Sequence, residues 1–276
     1  MNKIFSILLA GGLMAAATGC TISEPSLSDG NAGGHLESIT SLGMPLFYLS
    51  YDAAGNVTEV AAPEADMIIN VEYSNGKPTR FVVREYEEVS HYNPETEKET
   101  YEYVLSDRTE WTDIAVNSDG YITSVNTLEE SYDIWGSGQL NTTERYTTHM
   151  DYDAEGHMTR YYFDDGDSTD LVWSDGLMMS VDDGDYTMTY TYDNAPVNAR
   201  GQWVPMWGDV AIFQMTGLLG AAPAKMPTSI YSSAGSFRMN LRYELNSYGQ
   251  VSLLRYATDE DSDSSDLILS LKFNYK

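Results

Sequence analysis

Along most of this chain apolar and polar residues alternate one for one, the period of a strand with one dry and one wet face. Tyr186, Met188, Tyr190 and Tyr192 fall on one side, and Thr187, Thr189 and Thr191 on the other. Met239, Leu241, Tyr243 and Leu245 oppose Arg238, Asn240, Arg242 and Glu244; Leu267, Leu269, Leu271, Phe273 and Tyr275 oppose Ser270, Lys272 and Asn274. Runs of this kind at the usual spacing predict roughly 14 to 16 strands. A flat open sheet rarely holds so many, so the expected fold is all-β: a curved antiparallel meander closing towards a barrel.

The strands are punctuated by one recurring phrase: an aromatic or apolar residue, then Asp, Ser or Asn, then Gly, and two residues later an alternating apolar run. Copies centre on Gly55, Gly76, Gly120, Gly156, Gly176 and Gly249. Glycine supplies the positive φ of a tight turn, and the Asp or Asn before it bonds its own backbone, so each phrase reads as a hairpin corner. Gly55 to Gly76 is 21 residues, Gly76 to Gly120 is 44 and Gly156 to Gly176 is 20. Such intervals fit two strands and two turns per repeat, which places successive corners on one edge of the sheet.

One stretch, from Asn194 to Met226, breaks the rhythm. It contains Pro196, Pro205 and Pro223 and the one convincing helix signal after the leader, near 207–221, capped by Asp209 and ended by Gly220 and Pro223. Val210, Ile212, Phe213, Met215 and Leu219 give it an apolar surface too broad for an exposed helix. It is expected to plug one mouth of the barrel or lie in its concavity, with Phe213 and Leu219 buried.

The N-terminus changes the picture from a fold to an address. Lys3 supplies a positive flank, Ile4 to Ala17 an apolar run and Ala17-Thr18-Gly19 a small-residue cleavage site, the layout of an export signal over residues 1–19. That run is shorter than the ~20 residues a spanning helix needs. Ala17-Thr18-Gly19-Cys20 resembles the bacterial lipobox, which implies that Cys20, the chain's single cysteine, receives diacylglycerol and becomes the new N-terminus. Residues 20–44 then read as a lipidated, solvated tether, and 45–276 as a single β domain held without disulfides. Loss of residues 1–19 removes Lys3 and no acid, leaving 14 basic against 42 acidic residues, a net −28. That charge repels nucleic acid and anionic lipid, so the expected membrane contact is the acyl chain, at a cell envelope, on the periplasmic or surface side of an outer membrane.

Gly217-Leu-Leu-Gly220 followed by Met226-Pro227-Thr-Ser-Ile230, set among hairpin phrases behind a lipobox, resembles the exported lipoproteins known as the domain of unknown function 4595 family. The resemblance covers about Leu46 to Lys276 and implies a porin-like curved or barrel-like antiparallel sheet, and almost nothing about activity. The corner phrases also resemble the tyrosine-aspartate repeats of large secreted shell proteins, which run for many more copies.

Chemistry is sparse. There is no Gly-x-Ser-x-Gly elbow, phosphate-binding glycine loop, dinucleotide fingerprint or His-Glu-x-x-His helix, and lipidation removes the one cysteine nucleophile, so no enzyme activity and no cofactor are expected. Of His35, His91, His149 and His157, only His149 with Asp151 shares a strand face at ligand spacing, a pattern that surface contacts also produce. The acidic groups Asp164-Asp165-Gly166-Asp167, Asp182-Asp183-Gly184-Asp185 and Asp259 to Asp266 lack the twelve-residue calcium loop and read as solvated turns; no metal site is expected. The residues best suited to contact a ligand are Trp203, Trp207, Phe213, Trp173 and Trp111, whose flat faces suit sugars or other planar molecules. The leading expectation is therefore a lipid-anchored envelope protein holding a small apolar, aromatic or glycan ligand. The alternative is a scaffold or accessory subunit that binds another envelope protein. A membrane-spanning barrel is a third reading, suggested by the aromatic strand at Phe273 to Tyr275, and it requires an outward apolar band about 25 Å tall.

Overall fold

The computed structural model describes residues 34–93, 96–135, 138–202, 213, 216–234, 237–258 and 269–276. Sixteen strands are formed among them. In chain order these are β1 (Leu36–Ser41), β2 (Met44–Tyr51), β3 (Val57–Ala62), β4 (Met67–Ser74), β5 (Lys77–Asn93), β6 (Lys98–Val116), β7 (Ile122–Tyr132) and β8 (Leu140–Tyr152). They continue as β9 (Met158–Phe163), β10 (Ser168–Ser174), β11 (Leu177–Asp182), β12 (Thr187–Thr191), β13 (Ser229–Ser232), β14 (Phe237–Leu245), β15 (Val251–Thr258) and β16 (Leu269–Tyr275). Every strand pairs antiparallel with its neighbours in sequence, and β1 pairs with β16, which closes the sheet into a barrel.

Alternation determines which way each side chain points. Val60, Ile69, Phe81, Val83, Trp111, Val125, Met150, Met188, Leu241 and Leu254 are all at most 4% exposed and line one continuous interior core. The intervening residues face outwards. On β4 to β7 they build a charge ladder: Arg80 reaches Glu72 at 2.6 Å and Glu110 at 2.5 Å, and Arg108 joins Glu110 to Glu130. The Arg80 guanidinium holds the Glu110 carboxyl below its ordinary range. A barrel greasy inside and charged outside is the reverse of what lipid requires of a spanning barrel.

The glycine corners lie together at one end. Gly55, Gly76, Gly120, Gly156, Gly176 and Gly249 have φ between 72° and 90° and join β2–β3, β4–β5, β6–β7, β8–β9, β10–β11 and β14–β15. Four corners share one mechanism: Asp52, Asn117, Asp153 and Asn246 each accept two backbone N–H bonds from residues two and four positions on. The expected two strands per interval also holds across the 44 residues from Gly76 to Gly120, where β5 and β6 are simply long, at 17 and 19 residues.

The N-terminal boundary needs correction. The tether was expected to run to residue 44, but Leu36–Ser41 is a strand paired on both sides, with Ile39 opposite Phe273 and Phe47. A register shift between Leu36 and Ser38 puts Leu36, Ser38 and Ile39 all in buried positions, and this broke the alternation by which the strand would have been recognised.

Candidate binding surfaces

Between β12 and β13 the chain leaves the sheet and crosses the glycine-corner end. Four corners hold it by hydrogen bonds. Ile122 N–H donates to Leu218 O at 3.0 Å, Ala221 N–H to Gly156 O at 2.8 Å and Ala224 N–H to Gly176 O at 2.9 Å. At the Gly249 corner the buried Gln202 side chain accepts from Val251 N–H at 3.0 Å, while Arg200 Nε donates to Tyr248 O at 2.8 Å. Leu218, Leu219 and Met226 are buried, and Phe213 sets its edge against Phe81 and Trp111, with ring centroids 5.1 and 5.8 Å away. The described part of this stretch covers that mouth, with Phe213 and Leu219 buried as expected. Most of the helix expected near 207–221 lies outside the described residues, as do Trp203 and Trp207.

The remaining nominated residues divide into two places. Trp111 and Phe213 meet inside the barrel, but as core packing around Phe81, with Trp111 3% and Phe213 1% exposed. Trp173 sits apart at the rim, its indole N–H donating to Met158 O at 2.8 Å and its face stacked on His157 at 4.3 Å. His157 Nδ1 in turn lies 2.9 Å from Asp153 Oδ2. Burial pushes the Asp153 carboxyl up, and the His157 and backbone hydrogen bonds more than reverse this, leaving it below its ordinary value. Asp153, Glu155 and His157 bring potential metal-ligand atoms within 4.8 Å of one another. The same turn geometry recurs at Asp52, Asn117 and Asn246, so closing the corner accounts for the Asp153 carboxylate.

Two further histidines pair across strands, His91 with Glu102 at 2.9 Å being one. His149 Nε2 meets Asp164 Oδ1 at 3.0 Å, across strands, rather than Asp151, and its ring stacks on Tyr162. In the acidic turns, Asp183 Oδ1 accepts from the Asp185 and Tyr186 amides and Asp182 Oδ1 from that of Gly184. Asp259 to Asp266 lies outside the described residues.

At the end opposite the plug, β5 and β6 run on past their neighbours. β4 begins at Met67, opposite Glu85, while β5 and β6 stay paired from Tyr86 opposite Leu105 to Asn93 opposite Lys98. Strand β7 reaches β6 only as far as Asp107. The result is a two-stranded arm. At its root Ser106 is an extra residue in β6, its hydroxyl donating to Glu85 O at 3.2 Å, and Tyr86 N–H donates to Asp66 O at 2.9 Å. One face of the arm carries Tyr92, Tyr101 and Tyr103, which are 64%, 59% and 58% exposed, whereas Val89 on the other face is buried. The Tyr101 hydroxyl bonds Glu99 and that of Tyr103 bonds Glu88, and these carboxylates raise both phenols above their ordinary pKa. Residues 86–104 hold six acids and one lysine. No candidate from the sequence fell here; the 44-residue interval is the one signal from which the arm could have been found.

Comparison with protein-family models and with curated protein sequences finds no match. Among solved structures the chain is similar to a porin-like protein from Bacteroides uniformis, at 13% identity over 91% of this chain and 94% of that one, with a TM-score of 0.49. A porin-like protein from Bacteroides vulgatus matches at 12% identity over 87% and 98%, with a TM-score of 0.43. Part of the TcdB2–TccC3 structure matches at 14% over 84% of this chain and 12% of that one, with a TM-score of 0.27.

Proposed function

We propose that this protein is a non-catalytic component of the cell envelope, moored by an acyl chain on Cys20, that binds another envelope protein through the β5–β6 arm. The observation that carries this reading is the contrast in aromatic exposure. Trp111 and Phe213, nominated for a ligand, are packed in the core, while Tyr92, Tyr101 and Tyr103 stand open on an element that leaves the barrel. Large exposed aromatics are what protein interfaces use as anchors.

Topology adds an orientation. His35, just before β1, packs its ring at a tilt against Tyr51 beside the Gly55 corner, so the chain enters the barrel at its plugged end. Fifteen residues lie between Cys20 and Leu36, and at full extension they reach at most about 50 Å. On this reading the mooring acts on the plugged end, and the arm, at the opposite end, is presented away from the membrane. Kinship with the domain of unknown function 4595 family belongs to the same proposal.

The test is a photo-crosslinker in place of Tyr101 in the lipidated protein within intact envelopes. A discrete adduct is expected, lost when residues 87–104 are replaced by a short turn; no adduct at Tyr101, Tyr92 or Tyr103 would reject the reading. Replacing Cys20 with Ser should release the protein from membranes. A second reading, an interior small-molecule site, draws on Tyr190 Oη and Thr127 Oγ1, which are buried without a hydrogen-bond partner among the described residues. Native mass spectrometry showing a bound mass that Tyr190→Phe removes would favour it.

A further inference from the structure

Resting on the proposed role of the arm, its edge identifies the chemistry of the partner. In an antiparallel ribbon the N–H and C=O of one residue point to the same side, and the side alternates along the strand. Tyr86 N–H points away from β6, to Asp66. The backbone groups of Glu88, Ser90 and Tyr92 therefore point the same way, beyond the start of β4, where no strand lies among the described residues. This leaves an exposed ladder edge about 14 Å long. Natural sheets usually blunt such edges, because they template pairing with another chain, and a two-stranded ribbon is itself marginal until a third strand joins it.

Charge selects what can join. Glu88 bonds the Tyr103 hydroxyl, Asp66 exerts its field on the same group, and Tyr101 and Tyr92 extend the aromatic face beyond them. A second copy of this chain would bring six acids and one lysine against six acids and one lysine, so self-pairing of arms is opposed. A lysine- or arginine-bearing strand meets the opposite conditions. Its backbone completes the ladder, its alternate side chains reach Glu88 and Asp66, and their cations lie over the tyrosine rings.

We infer that the open edge of β5, from Glu88 to Tyr92, is a docking strand that captures an extended, cationic polypeptide segment of another protein by strand addition. Recognition is by backbone ladder and charge together, so neither alone is sufficient.

The experiment uses the full mature protein and a blocked nine-residue peptide of alternating lysine and threonine. Its controls are the same peptide with glutamate for lysine and the lysine peptide N-methylated at alternate amides. Binding is read by calorimetry at low and moderate salt, and amide exchange at Glu88, Ser90 and Tyr92 by NMR. The lysine peptide should bind, weaken as salt rises and slow those three amides, while both controls fail.

Ser90→Pro removes an outward N–H without touching the β5–β6 ladder, so the barrel should melt unchanged. Affinity should fall about tenfold, the worth of one or two backbone hydrogen bonds. Equal binding of the N-methylated peptide, unchanged affinity in Ser90→Pro or equal binding of the glutamate peptide would each overturn strand addition. A Tyr101 crosslink that persists in Ser90→Pro, with no binding of the lysine peptide, would leave the arm as a partner site and remove this mechanism. Loss of the crosslink in the wild-type arm would reject the broader reading instead.

Discussion

Gly220 shows how much one atom decides. Its φ is 86°, and a Cβ there would collide with the Gly156 carbonyl and the Tyr152 ring; Gly184 has a φ of 90° but open space around it. Gly184→Ala should therefore lose about 1 kcal/mol, from backbone strain alone, and Gly220→Ala about 3 kcal/mol, measurable as shifts in the denaturant midpoint. Trp111→Ala should cost about 4 kcal/mol, because it opens a cavity where Phe81 and Phe213 meet. A ligand-contacting tryptophan would instead leave stability nearly unchanged. Tyr190→Phe removes a buried hydroxyl with no partner among the described residues and should gain about 1 kcal/mol in the same assay. The sequence marks these aromatic residues but does not divide their roles. Alternation states which side of a strand a ring occupies, but Trp111 became core through Phe213, which arrives from a distant segment.

At the scale of elements, the glycine phrases and their flanking alternation were fully legible, because hairpin turns are local chemistry. What stayed hidden depended on contacts far along the chain. The bulge at Leu36 to Ser38 disguised β1, whose partner β16 comes last in the chain. The arm was visible only as a long interval, since nothing local distinguishes a strand inside the barrel from one that outruns its neighbours. The plug depends on side chains that reach across the rim. Gln202 accepts from Val251 N–H and lies 3.3 Å from the Tyr275 hydroxyl. Gln202→Leu should leave a buried amide unpaired at a cost of about 2 kcal/mol and speed hydrogen exchange at Val251, with little change at the acidic-turn end.

The whole molecule is also set up to fail in alkali. Burial raises the phenols of Tyr152, Tyr190, Tyr192 and Tyr243 well above their ordinary 10.0, and that of Tyr275 to about 12. In the unfolded chain these groups ionise near pH 10, whereas the folded barrel keeps them neutral. The stability they lend is complete below pH 10 and declines as pH rises through their folded values, by roughly 1.4 kcal/mol per pH unit for each tyrosine. Urea midpoints taken from pH 8 to 11.5 should be flat to about 10 and then fall steeply, together with a late step in tyrosinate absorbance; a flat profile to pH 11.5 would contradict the buried placement of these rings.

Closure through β1 and β16 also dictates the order of assembly. Leu36 pairs with Tyr275, so a strand made early has no partner on that side until the final strand exists. Until that strand is in place the sheet stays open, and loop closure over such a distance is slow. Like charges on the open sheet keep unfinished copies apart during that wait, which gives the strong acidity of this protein a role before the barrel has closed.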